Sequence, residues 1–246
     1  MEKYQEKLAI KSYQTNQYGK ASIVALFNIL IEAAWAHAQV MDWGYDSLKN
    51  NNLFWVLSRM YFQVEKYPGW QEQVTLSTWS AGTDGMYAYR EYILEDEKGE
   101  TLLRASSAWL ILDMENRRIF RLTDYRGTFP KRIDNNACRN PQRIKPVAHS
   151  EQMYFWPVLF SDLDINQHFN SVKYVERVLD NYSIDYMNNN EPAELEVNYL
   201  KEVQAGDAIA VTTTRLTDKE TLNCLVRESD NADLCVMKIN WRERRK

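Results

Sequence analysis

Three cysteines in 246 residues, Cys138, Cys224 and Cys235, are too few and too scattered for a disulfide framework or a thiolate metal site, so they read as reduced thiols. Histidine is equally scarce, with His37, His149 and His168 alone. No two of them share a helical spacing and none lies in a His/Cys cluster, so no metal site is expected. The eight glycines form no phosphate-cradling loop and no dinucleotide fingerprint, and there is no Gly-x-Ser-x-Gly elbow. No cofactor is therefore expected. Long apolar runs are missing too. The longest near the N-terminus, Ala33–Val40, is interrupted by His37 and Gln39, far short of the roughly 20 residues a membrane span needs. The first twenty residues carry Glu2, Lys3, Glu6 and Lys7 and no apolar signal core. The expectation is a cytoplasmic chain with no membrane span, signal or transit peptide.

What is present is a large core and an uneven charge. Hydrophobic residues make up 45% and aromatics 13%, enough to fill one large domain or two modest ones and to line apolar surfaces as well. Net charge is -4, yet Arg117, Arg118, Arg121, Arg126, Lys131, Arg132, Arg139, Arg143 and Lys145 face only Asp124 and Asp134 within residues 117–145. That stretch is either a solvated linker or a docking patch for an acidic partner. Nucleic acid is disfavoured because the chain as a whole is acidic.

One pattern is used twice. A strand near Leu8–Tyr13 leads to a helix near Lys20–Gln39, whose apolar face is Ile23, Leu26, Phe27, Leu30 and Ala34. Strands follow at Phe54–Lys66, Gln73–Trp79, Met86–Glu95 and Leu102–Asp113, with a turn at Gly82–Gly85. The second half runs through a strand near Gln152–Phe160, a polar loop, a helix near Ser171–Tyr182 capped by Asn170, and strands at Glu194–Lys201, Ala208–Leu216, Thr221–Arg227 and Leu234–Trp241. Residues 128–150 hold three of the six prolines and no periodicity. The division expected is a domain at 1–130, a basic linker at 131–148 and a domain at 149–246. A long helix followed by antiparallel strands, twice, implies an α+β fold in which each helix is wrapped by a curved antiparallel sheet. The spacing Tyr61…Glu65…Gly69 recurs as Asn198…Glu202…Gly206, which points to duplication.

The segment Ser161–Ser171 packs two carboxylates, amides and an imidazole between a strand and a helix. Asp164, Asn166 and His168 alternate, so an extended backbone would point all three one way. A carboxylate orienting an imidazole makes a base, and an amide can hold a carbonyl or a water. Turn and cap chemistry would use the same residue types. His37, near the end of the first helix, reads as a surface or dipole partner, and His149 lies in the linker.

These residues carry a resemblance. Phe54–Met60 (FWVLSRM), Tyr67–Trp70 (YPGW), Gly99–Trp109 (GETLLRASSAW) and above all Ser161–Tyr174 (SDLDINQHFNSVKY) are similar to the fatty acyl-acyl carrier protein thioesterases of plant plastids and their bacterial relatives. The likeness runs from about Leu8 to Trp241. It implies two tandem hot-dog domains, the first shaping an acyl pocket and the second holding the catalytic Asp, Asn and His, matched by Asp164, Asn166 and His168. The family places a Glu-Cys pair in the strand after the catalytic helix. Here it reads Glu202-Val203, so the Glu carries over and the thiol nucleophile does not. The resemblance implies thioester hydrolysis with acyl carrier protein as partner and, lacking a transit peptide, a bacterial source.

Three other readings stay open. The first is an acyl-CoA thioesterase. The second is a hot-dog enoyl-thioester hydratase or dehydratase, for which the Asn166–His168 spacing is one residue short and lacks a Pro. The third is a non-catalytic module that holds acyl carrier protein. Hot-dog units pair, so a homodimer stays open beside a pairing satisfied within the chain.

Overall fold

Ser22 starts the first long helix. Its hydroxyl accepts the Ala25 N–H at 3.1 Å, replacing a bond the first turn cannot make for itself. The computed structural model describes residues 3–124, 129–130, 136–147, 153–165 and 167–244. They divide into two units, Met1–Pro141 and Gln142–Lys246.

In the first unit, helix α1 (Ile23–Val40) packs on a sheet of order β1-β3-β4-β5-β2, with β6 on β5. The strands are β1 (Tyr4–Ala9), β2 (Leu53–Val64), β3 (Gln73–Thr83), β4 (Ala88–Asp96), β5 (Thr101–Asp113) and β6 (Ile119–Phe120), and a short helix α2 (Tyr45–Lys49) precedes β2. Ile23, Leu26, Phe27, Leu30 and Ala34 are all buried. Phe27 meets Phe62 of β2 at 5.0 Å between rings, and each fully buried ring of this size contributes about 2–3 kcal/mol. α1 is long and apolar enough to cross a membrane by length and composition, which inspection of unbroken apolar runs missed because Asn28, Glu32 and His37 divide it. Its apolar face is spent on the sheet of its own unit.

In the second unit the sheet order is β8-β11-β10-β9-β7. Its strands are β7 (Trp156–Pro157), β8 (Asn190–Tyr199), β9 (Ala208–Arg215), β10 (Glu220–Arg227) and β11 (Asp233–Glu243). Helix α3 (Ser171–Asp180) buries Val172, Tyr174, Val175 and Val178.

Several boundaries differ from those expected, each for a local reason. β1 lies four residues earlier because its ladder with β3 ends at Ala9↔Gln73, and Ser12–Gln14 is a single 3-10 turn. β3 runs past Trp79 to Thr83 because a bulge at Ala81, between Ser80 and Gly82, lets the ladder resume with Gly82 opposite Tyr89. β8 begins at Asn190 despite Pro192, since that proline adjoins a bulge at Ala193, between the pairs Asn240↔Glu194 and Trp241↔Pro192. The strand expected over Gln152–Phe160 shrinks to Trp156–Pro157, followed by a 3-10 turn at Phe160–Asp162; Gln152 is outside the described residues. Helix α4 (Ile184–Asn189), capped by Ser183 on Tyr186 N–H, was not foreseen in an Asn-rich stretch that reads as loop.

His37 is also corrected. It is buried, its Nδ1 lies 2.7 Å from an Arg90 guanidinium nitrogen, and its ring stacks on Tyr4. The helix positions that face the core recur every three to four residues, and His37 lies on that row.

In the described part of the basic stretch the side chains of Arg117, Arg118, Arg121, Arg139, Arg143 and Lys145 are exposed, while its backbone is tied down at several points. Glu91 of β4 is buried and accepts the Ser106 hydroxyl at 2.9 Å and the Ala137 N–H at 3.0 Å. In the second unit Asn198 accepts the Ile144 N–H at 2.9 Å and donates to the Gln142 carbonyl at 3.0 Å. Arg139 lies over the Tyr61 ring at 3.7 Å. Each half of the connection is thus held by side chains of its own unit.

Burial pushes Glu91 up to about 7, while burial and the Arg90 charge push His37 down to about 4. From pH 4.5 to about 7 the folded chain keeps a proton on Glu91 that the unfolded chain has released, so stability falls as pH rises. From pH 6.5 down to about 4 the unfolded chain takes up a proton that folded His37 refuses, so stability falls as pH drops. The two slopes oppose. Glu91→Gln can accept from Ala137 and donate to Ser106 without a charge. It is expected to gain stability above pH 7, of order 3 kcal/mol, and nothing below pH 4.5. Thermal melts of both proteins at pH 8 and pH 4.5 check this; an equal gain at both pH values contradicts it.

Candidate active site

The polar loop ahead of α3 is a tight hairpin, not an extended strand. Leu163 and Phe169 form an antiparallel bridge. Inside it the Asp164 N–H donates to the His168 carbonyl at 2.8 Å, and the Gln167 N–H donates to the Asp164 carbonyl at 2.9 Å. Gln167 takes a left-handed conformation (φ 64) to close the turn. Asp164 and His168 therefore sit opposite each other across the neck of the loop, and the alternation expected of an extended backbone does not apply. Asn166 lies outside the described residues.

Two further ties fix the loop. The Asn170 N–H donates to the Asp162 carbonyl at 2.8 Å, and the Asn170 side chain caps α3 through Val172 N–H at 2.9 Å. The Asp162 carboxylate is buried (1% exposed). It accepts one Arg177 guanidinium nitrogen at 2.9 and 3.0 Å and the Leu159 N–H at 2.9 Å. Of the two acids in the segment, Asp162 is therefore the anchor.

Glu202 reaches His168 through a main-chain bond one residue away. The Phe169 N–H donates to the Val203 carbonyl at 3.2 Å, which lays the loop against the exit of β8. The result is His168 Nε2 at 3.8 Å from Glu202 Oε2, with the two side chains 23% and 37% exposed. That is ion-pair range, one small side-chain rotation from a hydrogen bond. Phe169, Tyr174 and Tyr199 stack edge to face beneath, at 4.7 and 5.2 Å, and the Tyr199 hydroxyl donates to the Ser171 carbonyl at 2.8 Å. Burial raises both tyrosine hydroxyls well above their ordinary range, so they stay neutral. Val203, where the resemblance places a Cys, is fully buried. Among the described residues no three metal-ligating side chains converge.

The first unit repeats this loop bond for bond. Thr15 and Ala21 form the bridge. The Asn16 N–H donates to Lys20 O at 2.8 Å, Gly19 N–H to Asn16 O at 2.9 Å, Ser22 N–H to Gln14 O at 2.9 Å and Ala21 N–H to Pro68 O at 2.8 Å. Gly19 has φ 65 where Gln167 has φ 64. The correspondence puts Asn16 at the place of Asp164, Lys20 at that of His168, and Tyr67 at that of Glu202. It also shifts the alignment suggested by the Glu-to-Gly spacing. Glu65 and Lys66 both donate to Leu102 O, as Leu200 and Lys201 both donate to Leu234 O, so Glu65 matches Leu200 rather than Glu202.

The comparison separates shape from chemistry. Asn16 Oδ1 accepts the Lys20 N–H at 3.3 Å just as Asp164 Oδ1 accepts the His168 N–H at 3.1 Å. That bond of Asp164 closes the turn in either unit. The imidazole and the carboxylate of Glu202 belong to the second copy of the loop alone, and these two groups are of the kind that can exchange a proton.

The family model for the acyl-ACP thioesterase N-terminal domain matches residues 1–126, and that for the acyl-ACP thioesterase C-terminal domain matches residues 145–243. Curated relatives include oleoyl-acyl carrier protein thioesterase 2 of Arabidopsis thaliana, 28% identical over 90% of this chain and 65% of its own length. Another is palmitoyl-acyl carrier protein thioesterase of Gossypium hirsutum, 29% identical over 97% of this chain and 63% of its own. The chain thus spans just under two thirds of the length of these relatives. Two solved structures share the tandem hot-dog fold: the 12:0-ACP thioesterase from Umbellularia californica, TM-score 0.88, and an acyl-ACP thioesterase from Bacteroides thetaiotaomicron, TM-score 0.84. Each is 23% identical and is matched over 98% of both chains. On the match of both family models, the chain belongs to the acyl-ACP thioesterase family.

Proposed function

We propose that this chain hydrolyses the thioester of fatty acyl-acyl carrier protein, releasing the free acid and the carrier thiol and so ending chain elongation. The observation that carries this reading is the His168–Glu202 pair at 3.8 Å, present in the second copy of a loop whose first copy has Lys20 and Tyr67. Glu202 takes a proton from water as the water oxygen adds to the thioester carbonyl; that proton passes to the neighbouring His168, and His168 gives it to the departing thiolate as the C–S bond breaks. Asn166 is the proposed holder of the carbonyl. Asp164 supports this pair by closing the turn that presents His168. The alternative route, in which the Glu202 carboxylate attacks and forms an anhydride, is separated by single turnover in labelled water: label in the Glu202 side chain requires direct attack.

Support for a carrier protein over CoA comes from the basic stretch 117–145. An acidic carrier is steered toward clustered positive charge. Lys131 and Arg132, two adjacent members of that stretch, lie outside the described residues. Their joint reversal to Glu is expected to raise KM for acyl carrier protein substrates about tenfold or more and leave acyl-CoA nearly unchanged. A thiol-release assay on both substrate types tests it, and equal effects on the two remove the docking role.

A further inference from the structure

Two side chains beside the candidate site stand almost fully in water. Phe160 is 93% exposed and Ile165 is 89% exposed. Neither hangs on a loose loop. Phe160 opens the 3-10 turn Phe160–Asp162, and its carbonyl accepts the Leu163 N–H at 3.3 Å. The preceding Leu159, itself half exposed, has its N–H held by the buried Asp162 carboxylate at 2.9 Å. Ile165 follows Asp164 in the hairpin that presents His168. Large apolar side chains held out on fixed backbone mark a contact with another molecule.

A single exposed apolar residue is ordinary on any surface, and the duplicated loop supplies the control. The first unit has the same 3-10 turn, Ser12–Gln14. Its Lys11 N–H donates to Gln14 Oε1 at 2.8 Å, and its Thr15 N–H donates to the Ser12 carbonyl at 3.1 Å. Lys11, Ser12 and Gln17 occupy the places of Leu159, Phe160 and Ile165, and all three are exposed. The backbone thus takes polar side chains at each of these places. The apolar ones come with His168 and Glu202, in the copy that carries the candidate chemistry. The exposed ring of the first copy, Tyr13, stands instead at the place of Ser161, and its hydroxyl suits it to water.

The occupant follows from the reaction and from charge. A thioester that reaches His168 and Glu202 brings with it the body to which its sulfur is attached, and that body meets the rim of the loop. Residues 158–170 hold Asp162 and Asp164 and no Lys or Arg. The rim therefore offers no cation to the phosphates of CoA or to an anionic lipid surface; what it offers is apolar area. We propose that Phe160 and Ile165, with Leu159, anchor the acyl carrier protein by receiving an apolar patch of the carrier beside its thioester. This surface rests on the hydrolytic reading above. It is a separate matter from steering by the basic stretch, since clustered charge speeds an encounter and apolar anchors hold the complex once it is made.

The test gives the second copy the residues of the first, Phe160→Ser with Ile165→Gln, in the full-length protein. Thiol release is measured on an acyl carrier protein thioester and on the N-acetylcysteamine thioester of the same acid, which has the reacting bond and no protein. The expected result is a KM raised about tenfold or more for the carrier substrate, with kcat and the use of the small thioester unchanged. Calorimetric binding of carrier protein without an acyl group should weaken to the same degree. Should the wild type bind carrier and release no thiol, the hydrolytic reading falls, while weaker binding by the variant still supports the surface. Unchanged KM and unchanged carrier binding overturn the proposal. An equal loss on both substrates overturns it too, because the side chains would then act on the acyl chain or on the shape of the loop. So does pelleting with phosphatidylcholine vesicles by the wild type and not by the variant, with carrier binding unaltered, which assigns the side chains to a lipid surface. Phe160→Ser alone leaves the hairpin untouched, and its carrier KM is expected to rise about threefold or more.

Discussion

Replacing Glu202 by Gln, or His168 by Ala, is expected to lower kcat for acyl carrier protein thioesters by about 10²–10⁴-fold with little change in KM. Both side chains are partly exposed and are 3.8 Å apart. The hydrogen bonds described for the loop are made by main-chain groups of Asp164, Gln167, His168, Phe169 and Asn170 and by the Asp162, Asp164 and Asn170 side chains. The losses should therefore be catalytic rather than structural, and thermal midpoints should stay within a degree or two of wild type. The double variant should be little worse than the worse single one, because the two groups act on one proton path. The opposite exchange makes a useful control. Lys20→His with Tyr67→Glu rebuilds the same two side chains on the first loop, which already has the matching main-chain bonds. A drop smaller than tenfold at both His168 and Glu202 would remove them from the chemistry.

Asp162→Ala should cost the most stability of any single change in the loop, about 3 kcal/mol, a fall in Tm of about 10 °C or more for a unit of this size. The change leaves Arg177 without its partner and the Leu159 N–H without its acceptor. Because Arg177 is 24% exposed, water recovers part of the loss, so the low end of the range for broken buried pairs applies. Asp162→Leu with Arg177→Met removes both charges together and is expected to recover most of the stability, since a buried ion pair contributes little net against an apolar pair of similar volume. Activity separates the anchor from the chemistry. Asp162→Ala should slow turnover only as far as His168 loses its placement, whereas Glu202→Gln slows it at full stability. Thermal melts of the two single variants and the double one decide the point; an Asp162→Ala protein as stable as wild type contradicts the anchoring role.

The architecture was legible because burial leaves a period in the sequence. Ile23, Leu26, Phe27, Leu30 and Ala34 mark a helix face, and all five are buried. The strands were misjudged where backbone irregularity carries the chain through a residue that usually stops it: Gly82 beside one bulge and Pro192 beside another. At the site, sequence supplied the residues and not their arrangement. Alternation suggested that Asp164 and His168 share one face of a strand. They are instead neighbours across a hairpin neck, set by a left-handed Gln167 that no periodicity announces. Asp162 was legible only as one acid among several, since its partner Arg177 lies 15 residues on. The duplicated loop was hidden for a similar reason. Its bonds are mostly main chain, so Asn16–Ser22 and Asp164–Asn170 have no identical residue at any matched position.

The most direct test of the central claim is a single-turnover measurement of carrier thiol and free fatty acid from an acyl carrier protein thioester, with Glu202→Gln alongside. The account predicts thiol and acid in equal amounts from the wild type and release slowed by at least about 100-fold in the variant. Release at the wild-type rate by Glu202→Gln, or loss of an enoyl thioester with no thiol freed, would contradict it.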